Sequence, residues 1–171
     1  EPTVKFARIA RPGGDGAALR IRGFGEVADL DLDLTGANRP AAVTAALANC
    51  VHGGLADDLI WGLTLAARIG GLLSVWANDA EAETLELRQI CPSADCGSDL
   101  EIALPVAALM DLAREAEGQQ THDFAGMQLR RPTGRDQKIW LGAQGAAPET
   151  TILASLVKGA LPEAPAALAT L

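Results

Sequence analysis

Two cysteines stand five positions apart in ICPSADCGSDLEI, residues 90–102; the only other sulfur or imidazole groups suited to ligation are Cys50, His52 and His122. A metal knuckle is the first chemistry this spacing suggests. Tetrahedral zinc needs two thiolates about a bond angle apart, and the turn running from Cys91 through Pro92 to Cys96 and Gly97 can present them. Structural zinc takes four protein ligands, so Cys50 and His52, or His122, would have to join. A Cys50/His52/Cys91/Cys96 zinc site is chemically feasible, but an i, i+2 pair is an awkward clamp and nothing in the sequence brings it near. A Cys91–Cys96 disulfide is feasible at this separation but runs against a reducing compartment. As a redox pair the cysteines lack C-x-x-C spacing and any nearby cation apart from Arg88. The reading favoured is a structural hairpin loop whose metal ligands are incomplete, or completed by another chain. No cofactor is expected.

The remaining catalytic signals are weak. GGDG and RPTGRD lack the spacing and the lysine of a nucleotide cradle. No G-x-S-x-G elbow occurs, and two isolated histidines do not make a triad. Carboxylate pairs such as Asp57/Asp58 sit at element starts, where they compensate a helix dipole. An enzyme is therefore not expected. One polar cluster stands apart: Arg130, Arg131, Thr133, Arg135 and Asp136, followed by Trp140. It reads either as a docking surface, where Arg pairs bidentately with a partner carboxylate, or as a solvated turn held by a Thr133–Asp136 cap. Trp61 and Trp76 read as core residues and Trp140 as a contact to something else.

Composition bounds the partners. The chain has 171 residues, 49% hydrophobic, with 14 Lys and Arg against 22 Asp and Glu, a net charge of −8. That argues for one sizeable core and against nucleic acid, which needs clustered cations. Residues 59–77, LIWGLTLAARIGGLLSVWA, are long enough to span a bilayer, but Arg68 lies mid-span and three glycines dilute the run. A buried central helix fits better. The start, EPTVKFARIARPGG, has no apolar signal region, and three cysteines suit a reducing cytoplasm.

Punctuation and periodicity then order the elements. Residues 3–10 and 17–23 predict two strands, and GEVADLDLDLTG, 25–36, alternates apolar and acidic residues as a third. A helix follows from Asn38, with Pro40 in its first turn and His52-Gly53-Gly54 as its stop. The apolar helix runs from about 56 to 78. Strands 84–90 and 100–106 form a hairpin around the cysteines. A helix over 105–118, a strand over 126–132, a capped helix from Thr133 and a last helix from about 148 to 159 complete the order. The class is α+β: a small mixed sheet, including the Cys-bracketed hairpin (about 84–106), packed on a central apolar helix and shorter helices. The division is 1–36 as N-terminal strands, 37–160 as the main domain and 161–171 as a tail that frays.

The helix over 56–78, the hairpin LELRQICPSADCGSDLEIALPVAALMDLA, the turn MQLRRPTGRDQKIWL and the apolar ILASLV together resemble the baseplate hub assembly chaperones of T-even-type phages and of related contractile injection systems. The resemblance covers about residues 45–160, and PTGRDQ is its more distinctive motif. It implies a non-enzymatic assembly factor, a chaperone or adaptor in the bacterial cytoplasm, whose partner is a baseplate hub or spike protein. Two alternatives remain: a permanent structural component of the tail, and a zinc-dependent binding module unrelated to phage tails. Oligomeric state is left open.

Overall fold

A computed structural model describes residues 7–10, 18–80, 83–93, 95–119, 121–124, 127–142 and 148–158. The predicted tail 161–171 and the first residues of the N-terminal strand lie outside these. The α+β class holds. Strands pair as three small antiparallel sheets: β1 (Ala7–Ala10) with β2 (Ala18–Ile21), β3 (Thr84–Ile90) with β4 (Asp99–Pro105), and β5 (Thr121–Phe124) with β6 (Met127–Arg130). The helices are α1 (Arg39–Cys50), α2 (Asp57–Trp61), α3 (Leu65–Ala80), α4 (Val106–Gly118), α5 (Gly134–Gly142) and α6 (Glu149–Leu156). Each sheet joins strands adjacent in the chain, so no parallel pairing or crossover is needed among the described residues.

The core forms where α1 and α3 meet the end of β2, around Ile21, Leu47, Cys50, Ile60, Leu63 and Val75. Local chemistry places α1 where the sequence predicts it. Asn38 Oδ1 accepts from the Ala41 N–H at 3.2 Å, and Pro40 occupies the first turn, where no N–H is required. Gly53 and Gly54 end the segment with φ of +85° and +71°, a region that L side chains avoid. Just before them Val51 bridges Ile21, with the Arg22 N–H on Cys50 O at 2.9 Å and the His52 N–H on Arg20 O at 2.8 Å. This short pairing seats Cys50 in the core, fully buried.

The predicted third strand does not form. Val27–Asp31 is a 3-10 turn, and Val27 and Leu30 are 84% and 85% exposed. Asp29 is the reason. Its carboxylate accepts the Arg22 guanidinium at 2.8 and 2.9 Å, the N–H groups of Gly25 and Glu26 at 2.7 and 2.8 Å, and the Asn49 amide. The backbone wraps around one carboxylate, which leaves no extended edge to pair. The Arg22 bond, aided by the Glu26 and Gly25 N–H groups and opposed by burial, holds Asp29 well below the usual carboxylate range.

The predicted helix over 56–78 is also divided, into α2 and α3, with Gly62, Leu63 and Thr64 between them. The break is stitched to the turn before α5. Thr64 bridges Thr133, the Leu65 N–H donates to Pro132 O at 3.0 Å, and the Gly134 N–H donates to Leu63 O at 3.1 Å. Thr64 Oγ1 then accepts from the Ala67 N–H at 3.1 Å, as an N-terminal cap does. No helix among the described residues is long and apolar enough to cross a membrane.

α4 lies along α3, close enough that a Cβ on Gly70 would meet Ala113 Cβ at 3.4 Å. It also carries the β3–β4 hairpin, through buried Val106, whose N–H donates to Glu83 O at 2.9 Å. From that base the hairpin projects outward. Only Thr84, Leu85 and Leu104 of its two strands are half-buried; every other residue is exposed.

Candidate functional site

The polar residues around PTGRDQ converge, chiefly on one another. Arg130 places both guanidinium nitrogens on the Asp136 carboxylate at 2.7 Å each and donates to Ser155 O at 2.9 Å. Asp136 Oδ2 reaches back to accept from the Thr133 N–H at 2.7 Å and from its hydroxyl at 2.9 Å, as the capping pattern predicts. Burial alone would push the Asp136 carboxyl up. The bonds from Arg130 and Thr133 outweigh burial and hold it below its ordinary value.

The neighbours extend this clasp. Arg131, mostly buried, sets Nη1 3.7 Å from Glu117 Oε2, which also accepts the Thr64 hydroxyl. The Trp140 indole N–H donates to Ser155 Oγ at 3.2 Å, and α6 is further tied to β6 by the Lys158 N–H on Gln128 O at 2.7 Å. Arg130, Arg131, Thr133, Asp136 and Trp140 thus fasten β6, α5 and α6 to the helices. Arg135, 52% exposed on its side chain and joined to Asp58, is the member that faces solvent.

Beneath the clasp lies a residue that the sequence flagged only as an obstacle to membrane insertion. Arg68 is 2% exposed and donates to Ile60 O at 3.0 Å, Pro40 O at 2.7 Å and Thr44 Oγ1 at 3.0 Å. Its guanidinium lies 5.0 Å from the centre of the Trp61 ring, and Lys138 Nζ lies 5.3 Å from the same centre. Among the described residues no carboxylate pairs with Arg68, and burial pushes its pKa down to about 10. From α3 it ties α1 and α2 together, through a carbonyl of each and the Thr44 hydroxyl. A lone Arg in an apolar helix was the available signal.

The four candidate zinc ligands do not assemble. Cys50 is in the core and His52 is exposed beyond the end of α1, whereas Cys91 and Cys96 lie at the hairpin tip. Among the described residues no three His, Cys, Asp or Glu side chains converge as a metal site. The hairpin cysteines do meet, approaching to about 3.6 Å.

The hairpin itself has two unlike faces. Cross-strand partners share a face, so Leu85/Leu104, Leu87/Ile102 and Gln89/Leu100 line one side, and Glu86/Ala103 and Arg88/Glu101 the other. The polar side carries an Arg88–Glu101 pair at 3.1 Å. The apolar side is open: Leu87, Leu100 and Ile102 are 43%, 41% and 40% exposed. Elsewhere, a shallow depression of about 370 Å³ lies between the 34–36 loop and α1, lined by Phe24, Leu34, Val43 and Leu72. No family model, curated protein or solved structure matches the chain.

Proposed function

We propose that the chain is a non-enzymatic assembly factor that captures a protein partner on the apolar face of the β3–β4 hairpin. The observation that carries this reading is the exposure of Leu87, Leu100 and Ile102 on one side of a projecting arm. An arm of seven paired residues per strand, open on its apolar side, is built for contact rather than for its own core. The resemblance of the hairpin and the PTGRDQ turn to baseplate hub assembly chaperones supplies the partner: a hub or spike protein of a phage tail or contractile injection apparatus.

The test is co-expression with the hub and spike proteins of such an apparatus, comparing wild type with a Leu87→Lys, Ile102→Glu double variant. Capture should be lost while the circular-dichroism spectrum stays native. Undiminished capture would remove the hairpin from the interface. Recovery of the chain in finished particles, rather than in assembly intermediates alone, would make it a permanent component.

A further inference from the structure

The hairpin tip holds two thiols in an arrangement that the spacing alone did not disclose. The Cys91 N–H donates to Ser98 O at 2.9 Å, the Cys96 N–H donates to Ser93 O at 3.1 Å, and Gly97 turns the chain with φ of +57°. This fold-back brings the cysteines to about 3.6 Å. Access is unequal: Cys96 is exposed and Cys91 half-buried, while Cys50 is fully buried and removed from competition. Cys96 Sγ lies 3.4 Å from Ser98 Oγ. The Ser98 hydroxyl, then its backbone N–H, then the Cys91 side chain hold the Cys96 thiol below its ordinary value. Hydrogen bonds to the thiolate thus take the place of the missing cation.

We propose that Cys91 and Cys96 form a reversible dithiol–disulfide couple at the hairpin tip, oxidised by exchange with a low-molecular-weight disulfide. Cys96 gives its proton to solvent and its thiolate attacks one sulfur of the small disulfide. The external S–S bond breaks, one small thiolate leaves and is protonated, and a mixed disulfide remains on Cys96. Cys91, deprotonated in turn, attacks the Cys96 sulfur and expels the second small thiol. In sum, two cysteine thiols lose two hydrogens and one external disulfide becomes two thiols. A bond of about 2.05 Å needs only a modest closing movement, and the projecting arm has few contacts to resist it. This couple is independent of which partner the hairpin captures.

The experiment uses the full chain in glutathione buffers of graded oxidised fraction, read by intact mass and peptide mapping. Wild type should lose two hydrogens, localised to a Cys91–Cys96 bond, and regain them with excess thiol. Cys91→Ser should retain a glutathione adduct on Cys96. Cys96→Ser should react roughly tenfold more slowly, and Ser98→Ala roughly threefold more slowly than wild type, with native circular dichroism in each. Equal adduct formation at both cysteines without an internal bond would overturn the proposal. So would a metal ion that co-purifies with the chain and shields both thiols from exchange.

Discussion

Gly134 makes room for the guanidinium of Arg68: a Cβ at that position would lie 2.6 Å from Nη1, 2.8 Å from Cζ and 3.0 Å from Trp61 O. The glycine of PTGRDQ is therefore required by a close approach between two elements. Gly134→Ala should lower stability by about 1–3 kcal/mol in denaturant unfolding. The loss should shrink in an Arg68→Ala background, because the clashing side chain is gone. Equal losses in both backgrounds would place the strain on the Trp61 carbonyl instead.

Asp29 should make stability depend on acid. Its folded pKa lies well below the unfolded value of about 3.9. The contribution is thus complete above that value and is lost as pH falls through and below it. Asp29→Asn should cost about 2–4 kcal/mol near neutrality, since Arg22 loses its carboxylate partner. Below about pH 3 the gap between variant and wild type should narrow. Urea midpoints across pH measure both effects, and a gap independent of pH would contradict the assignment.

Arg130 and Arg135, five residues apart, should behave differently. Arg130→Glu breaks a two-pronged bond and sets a carboxylate beside largely buried Asp136, so a cost of about 3 kcal/mol or more is expected. Arg135→Glu disrupts an exposed pair, worth less than about 1 kcal/mol. Thermal unfolding of the single variants separates them. A double charge reversal would confuse lost folding with lost capture, which is why the functional test uses the hairpin.

Leu87→Thr and Ile102→Thr should leave stability within about 1 kcal/mol of wild type, because both side chains are already substantially exposed. A larger loss, seen in denaturant midpoints, would mean that this face is covered within the chain.

Much of this architecture was legible where its causes are local. Asn38 with Pro40, the glycine pair after α1 and the Thr133–Asp136 cap each rest on contacts within a few positions, the β3–β4 hairpin joins strands consecutive in the chain, and each lies where the sequence predicts it. The misreadings have distant causes. Leucine and aspartate alternate through 27–34 in strand fashion, yet Asp29 is claimed by Arg22 and Asn49. The apolar run 59–77 carries no breaker strong enough to announce the division at Leu63, which comes from hydrogen bonds to Pro132 and Gly134. β5, THDF, has no apolar alternation and is held by its pairing with β6. The cysteines were visible as a pair, but Ser98, two positions beyond Cys96, was not recognisable as the group that hydrogen-bonds it.

The stitch between Leu63–Leu65 and Pro132–Gly134 also sets a schedule for the ribosome. α1, α2 and α3 emerge from the exit tunnel well before the segment that receives their unpaired backbone groups. Until that segment arrives, the Leu65 N–H and the Leu63 carbonyl have only water to bind, and the helix break is held from within, by the Thr64 cap and the Arg68 bond to Ile60 O. Completion of the N-terminal half is consequently a late event in synthesis, governed by contacts of long sequence separation. A nascent chain halted before Pro132 would expose core surface and become a substrate for chaperones and proteases.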